Sequence, residues 1–130
     1  LKLTEFMLED IEAVWPEFEQ RALRSESSDE ALRYAREKCR RGEAVCIANS
    51  DGVIVLTLRM VRGARIRAVV LLAVSTGRAG AFKRHEQAVV EIARSLEADE
   101  LGFETDRVPA WRRVVGPDWT ERDGSFSRSV

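Results

Sequence analysis

The run Ala68-Val69-Val70-Leu71-Leu72-Ala73-Val74 limits what this chain can become more than any other feature. Its aliphatic residues do not alternate with polar ones, so a strand made of them must be covered on both faces. That marks a central strand rather than an edge, read here from Ile66 to Val74. Directly behind it comes Ser75-Thr76-Gly77-Arg78-Ala79-Gly80, a loop of small residues. The loop opens into a helical pattern with Phe82, Val89, Ile92, Ala93 and Leu96 on one face. A central strand that feeds a tight loop and then a helix is a building unit of α/β sheets.

The other elements arrange themselves around that unit. Leu1 to Phe6 alternate apolar and polar residues, as a first strand would. Leu8, Ile11, Val14, Trp15, Phe18 and Ala22 follow at helical spacing, and Pro16 predicts a kink or break after Trp15. Residues Ser25 to Ser28 read as a loop. Ser27 and Glu30 form a capping box for a second helix, with Ala31, Leu32, Ala35 and Cys39 on its buried face and Gly42 as its stop. Strands are expected at Ala44 to Ala48 and Val53 to Val61, joined by the turn Asn49-Ser50-Asp51-Gly52. Arg62-Gly63-Ala64 turns the chain into the central strand. After the long helix, Leu101 to Glu104 read as a short strand and Val108-Pro109 as the start of a short helix. Gly116-Pro117 ends that helix. Trp119 to Arg122, Asp123-Gly124 and Ser125 to Arg128 form a final hairpin. The order is β-α-α-β-β-β-α-β-α-β-β in a single domain, residues 1–130, of the α/β (α+β) class. Trp111 and Trp15 read as core residues, and Trp119 as a cap on the hairpin.

Composition removes several classes of function. With one histidine and two cysteines in 130 residues, neither a zinc site nor a disulfide framework is expected, and a reducing compartment is the default. No apolar run approaches the ~18 residues that a membrane helix needs, so no membrane insertion is expected. No basic segment precedes an apolar stretch at the start, so neither is a signal peptide. The net charge is −1, but it is unevenly spread. From Gly52 to His85 there is no acidic residue, while Arg59, Arg62, Arg65, Arg67, Arg78, Lys83 and Arg84 fall there. This stretch reads either as solvated strand faces and a hairpin tip or as an anion site for a phosphate-bearing ligand. Nucleic acid is disfavoured, because no aromatic residues interleave the arginines and the domain is not basic.

Local sequence adds a resemblance. Its pieces are Val14-Trp15-Pro16, Arg41-Gly42-Glu43-Ala44, the small-residue loop and Ile92-Ala93-Arg94. Further pieces are Leu101-Gly102-Phe103-Glu104-Thr105-Asp106-Arg107, Ala110-Trp111-Arg112-Arg113 and Gly116-Pro117-Asp118-Trp119. In this order, over nearly the whole chain, they resemble the small GNAT-like (N-acetyltransferase-like) proteins of tailed phages and prophages. The resemblance implies a GNAT-like fold, a mixed, mostly antiparallel sheet with helices on both faces. It implies an acetyl-CoA or other acyl-CoA site where the central strand splays from the strand Leu101 to Phe103. There Leu72 and Val74 would offer backbone groups to the pantetheine arm. Gly77, Arg78, Ala79, Gly80 and Ala81 would cradle the pyrophosphate at the helix N-terminus, with Lys83 and Arg84 as further cations. The superfamily's signature begins with Gln or Arg. Aligning Gly77 and Ala79 to it puts Val74 at that place, so the basic residue is missing.

For catalysis the resemblance implies a glutamate base on the central strand and a tyrosine acid on the late helix. Ile66 to Val74 hold no carboxylate, and the helix after Pro109 holds no tyrosine. The chain's one tyrosine, Tyr34, reads as structural, and His85 as a packing residue. Glu104 and Asp106 remain as candidate bases, with surface charge or a pair with Arg107 as their other reading. Two functions stay open. One is an acyl-CoA-dependent N-acyltransferase with a degenerate site, acting on an unknown amine. The other is a non-catalytic descendant, a virion component or protein-binding module whose partners are phage virion proteins. Either is expected in the cytoplasm of a bacterial host, the second also within the virion.

Overall fold

The computed structural model describes residues 7–14, 16, 29–75 and 80–130. In chain order these form β1 (Met7–Glu9), α1 (Asp29–Arg40), β2 (Ala44–Asn49), β3 (Gly52–Val61), β4 (Arg65–Ser75), α2 (Ala81–Ser95), β5 (Glu100–Glu104), α3 (Val108–Val114), β6 (Thr120–Arg122) and β7 (Ser125–Ser129). Residues 11–14 and 16 are also helical. The strands hydrogen-bond in the order β1-β2-β3-β4-β5-β7-β6, which puts β4 at the centre as its aliphatic run requires. The β4–β5 pair is parallel, whereas β1–β2, β2–β3, β5–β7 and β6–β7 are antiparallel.

One expectation is corrected at the N-terminus. The described strand is Met7–Glu9, which pairs with β2 from Met7↔Ala48 to Glu9↔Cys46. Leu8, placed on a helix face by its spacing, is therefore a strand residue and is 74% exposed. A three-residue edge strand is too short to show a period, and Leu8 matches the helical spacing of Ile11 and Val14 by coincidence. The expected strand Leu1 to Phe6, Trp15 and its kink, Phe18, Ala22 and the Ser27 cap lie outside the described residues.

By contacts the chain forms two compact units. The first comprises Leu1–Thr57 and Leu71–Ala81. Its core gathers Ile11, Leu32, Ala35, Cys46, Ala48, Val53, Val55, Leu72 and Val74. Helix α1 contributes Leu32 and Ala35 as the sequence predicts. It ends in a Schellman motif, with Glu43 N bonded to Lys38 O at 2.9 Å and Gly42 N to Cys39 O at 3.1 Å. Gly42 takes the φ of +72° that this cap requires. Asn49 Oδ1 accepts from Asp51 N and Gly52 N, which fixes the β2–β3 turn. Glu12 tethers the first helical turn to α1 through Arg36 and Arg40, each at 2.6 Å. Their guanidinium groups hold the Glu12 carboxyl down at about 2.

The second unit comprises Leu58–Val70 and Phe82–Val130. Helix α2 buries His85, Val89, Val90 and Ala93. The sequence had Val89 and Ala93 on that face but not His85 or Val90. Phe82, Ile92 and Leu96 are half-buried. Pro109 opens α3 as expected. The β6–β7 hairpin closes through Asp123 and Gly124 at φ of +50° and +82°, the two positive angles of a type I′ turn.

Candidate functional site

The expected ligand site would begin on β4. Leu72 and Val74 turn their side chains into the first unit's core, so backbone groups are what these positions have left to offer. Gly77, Arg78 and Ala79 lie outside the described residues. Gly80 is exposed with φ +77°, and Ala81 starts α2. The first turn of α2 contains no acidic residue, and Lys83 is exposed beside it. A helix start of this kind, with amides unpaired by its own ladder and a cation close by, favours an anion.

Within the second unit, β5 is paired unequally on its two edges. Its β7 edge is bonded along the full strand, from Glu100↔Ser129 to Glu104↔Ser125. Its β4 edge is in register only over Arg67↔Glu100, Ala68↔Leu101 and Val69↔Gly102. Phe103 and Glu104 therefore present a backbone edge outside that ladder. Gly102 sits where the ladder stops. A Cβ there would approach Arg67 Cδ and the Phe126 carbonyl oxygen to 2.9 Å each.

Both candidate bases face water. Glu104 is exposed and lies 3.7 Å from Arg59 Nη1. Two residues apart on a strand share a face, but β5 ends at Glu104, and Asp106 is an exposed residue at a bend beyond it. Among the described residues β4 carries no carboxylate and α3 no tyrosine. Tyr34 lies on α1, 48% exposed, with Lys38 Nζ 5.5 Å from its ring centre.

The acid-free stretch resolves partly into ion pairs. Arg67 Nε contacts Glu100 Oε1 at 2.6 Å and its Nη1 reaches Ser125 Oγ at 3.3 Å. Arg65 lies 3.7 Å from the same glutamate. Three of the strand cations are thus answered by carboxylates on β5, while Arg78 is outside the described residues.

Sequence reasoning missed an aromatic cluster in the second unit. Phe103 stacks on Phe126 at 5.1 Å with an interplanar angle of 8°. Trp111 and Trp119 lie 4.8 and 5.5 Å from Phe103, and 5.5 and 5.7 Å from Phe82. Trp119 Nε1 donates to Glu86 Oε1 at 2.7 Å, and Arg128 Nη1 lies 3.3 Å from Glu86 Oε2. Glu86 thereby satisfies a buried indole and a mostly buried guanidinium at once. Trp111 does pack as expected, but on aromatic rings; the only sequence signal was the density of aromatics in the last third of the chain.

No family model and no curated protein matches this sequence. Solved structures do. A chain of the NatC complex, crystallised bound to Gag peptide and CoA, is 15% identical with a TM-score of 0.66, covering 97% of this chain and 98% of that one. A conserved protein of unknown function from Enterococcus faecalis V583, described as a probable N-acyltransferase, is 10% identical with a TM-score of 0.57. That match covers 86% of this chain and 31% of the other. The fold is GNAT-like: mixed α/β, with a seven-stranded, mostly antiparallel sheet.

Proposed function

We propose that this chain is an acyl-CoA-binding protein of the N-acyltransferase type, akin to the small GNAT-like proteins of phages and prophages, in which transfer to an amine is slow or lost. The observation that carries the reading is the start of α2. An acid-free first turn, a positive-φ glycine and an exposed lysine meet there, on a fold shared with a chain of a CoA-bound complex. The backbone of Leu72 and Val74 would hold the pantetheine arm. The amides of Gly77, Arg78, Ala79, Gly80 and Ala81 would hold the pyrophosphate, with Lys83 adding a charge. Acetyl-CoA supplies an activated thioester when bound, and the protein's part is to position it against an amine.

The degenerate half of the proposal rests on the missing groups. A positioned general base contributes about 10²- to 10⁴-fold, and Glu104, in water and beside Arg59, is poorly placed to be one. Orientation of the two reactants is what remains. The same missing groups favour a second reading, a non-catalytic virion component or protein-binding module, whose partner is a virion protein in place of the amine. The host cytoplasm is the proposed setting for both.

A thermal-shift titration with acetyl-CoA separates them. A ligand at 100 times its Kd stabilises the native state by about 2.7 kcal/mol, roughly 10 °C for a domain of this size. Lys83→Glu should reduce that shift, whereas Arg62→Glu, on the hairpin turn, should not. Acetylation of a polyamine should be slow. Rapid acetylation abolished by Glu104→Gln would make Glu104 the base, and no shift at any acetyl-CoA concentration would leave the non-catalytic reading.

A further inference from the structure

Apart from Tyr34, the large apolar side chains exposed among the described residues fall in two places. On the β3–β4 hairpin, Leu58 is 47% and Met60 69% exposed, two residues apart and so on one face. In the first unit, exposed Leu8 lines a pocket of about 390 Å³ together with Ile11, Ala44, Cys46, Glu9 and Asp10. That volume lies within the ~300–1,000 Å³ typical of occupied sites.

The two places carry opposite charge. The hairpin has no carboxylate in sequence from Gly52 to His85. Its Arg59 and Arg65 are paired with Glu104 and Glu100 of β5, so the charge it offers a partner is Arg62. Arg62 stands exposed on the turn. The pocket is acidic. Its one cation, Arg40, is bonded to Glu12, and Glu9 and Asp10 have no ion pair among the described residues. Two hairpins meeting face to face would oppose arginines, and two pockets would oppose carboxylates. Hairpin against pocket matches both polarity and charge.

We propose that the β3–β4 hairpin of one copy docks into this pocket of a second copy, with Met60 against Leu8 and Ile11, and Arg62 against Glu9 and Asp10. Methionine is flexible enough to fill an irregular site. Because the two surfaces differ, the contact is heterologous, and it continues into a ring or a filament.

Light scattering across a range of protein concentrations tests this. The wild-type mass should rise above one chain as concentration increases, and should fall again with added salt. Met60→Asp and the double change Glu9→Arg/Asp10→Arg should each weaken association by at least about tenfold. Met60 and Asp10 are exposed and Glu9 is half-buried, and unchanged circular dichroism confirms that the variants fold. Mixing the two variants should restore a two-chain species and nothing larger, since one intact hairpin then meets one intact pocket. A wild type that stays a single chain at every concentration overturns the proposal. So does loss of association with Met60→Asp but not with the pocket change, which would indicate hairpin-to-hairpin pairing, or failure of the mixture to recover.

Discussion

The two units solve the same problem with different side chains. The first packs Leu32, Ala35, Val53, Val55, Leu72 and the thiol of Cys46 into an aliphatic core. The second sets Phe82, Phe103, Trp111, Trp119 and Phe126 against one another and ties the edge of the cluster to Glu86. Aliphatic packing is tolerant of small rearrangements. Rings locked by their own geometry and by a buried hydrogen bond are much less so. The second unit should therefore be the more brittle to substitution, and the first the more sensitive to chemistry at its sulfur.

The largest effect should come from Phe126→Ala. Phe126 is 1% exposed and stacked on Phe103, and its removal should cost about 4 kcal/mol. Val55→Ala, at a site with no exposure in the first unit, should cost about 2 kcal/mol. Urea unfolding measures both, and equal losses would abolish the contrast.

An intermediate effect is expected at Gly102. A methyl there must displace both the Phe126 backbone and the Arg67 stem, at a cost of about 1–3 kcal/mol. Gly116→Ala is the control, since a Cβ there meets nothing within 4 Å; it should stay within about 0.5 kcal/mol.

The smallest effect at neutral pH belongs to Cys46. Burial pushes its thiol up to about 12, from an ordinary thiol value of 9.0. A raised folded-state value means stability present below pH 9 and lost as the pH climbs toward 12, because the unfolded chain releases that proton first. Cys46→Ala should flatten this alkaline limb. Glu12 works in the opposite sense, with stability present above its ordinary value and lost as the pH falls toward about 2. An alkaline limb that persists in Cys46→Ala would place the titrating group elsewhere.

What the sequence disclosed follows from which physical signals are local. The aliphatic run of β4, the Gly42 stop, the Asn49 turn and the Asp123-Gly124 hairpin each rest on a few adjacent residues, and each is found where those residues predicted it. β1 escaped because three edge residues carry no period. The aromatic cluster escaped because its members come from five separate segments, which no single period links. The charges of Arg59, Arg65 and Arg67 were visible, but their partners Glu100 and Glu104 come from a strand distant in sequence. Of the candidate site, Gly80, Ala81 and Lys83 could be located on a helix start, while the loop before them lies outside the described residues.

The parallel β4–β5 ladder has a consequence for assembly. A hairpin closes through a turn of about 2 residues, but Val69 and Glu100 are separated by the chain from Val70 to Asp99. By chain statistics, closing about 30 residues in place of 2 costs roughly 2 kcal/mol more in entropy. Only three residue pairs in register repay it. The hairpins should thus form early, and this short seam should knit last and open first. Native-state hydrogen exchange reads the order directly, and protection of Val69 outlasting that of Phe126 would reverse it. On this account the backbone edge at Phe103 and Glu104 widens at little cost, since the seam that would have to yield is the one the chain holds least firmly.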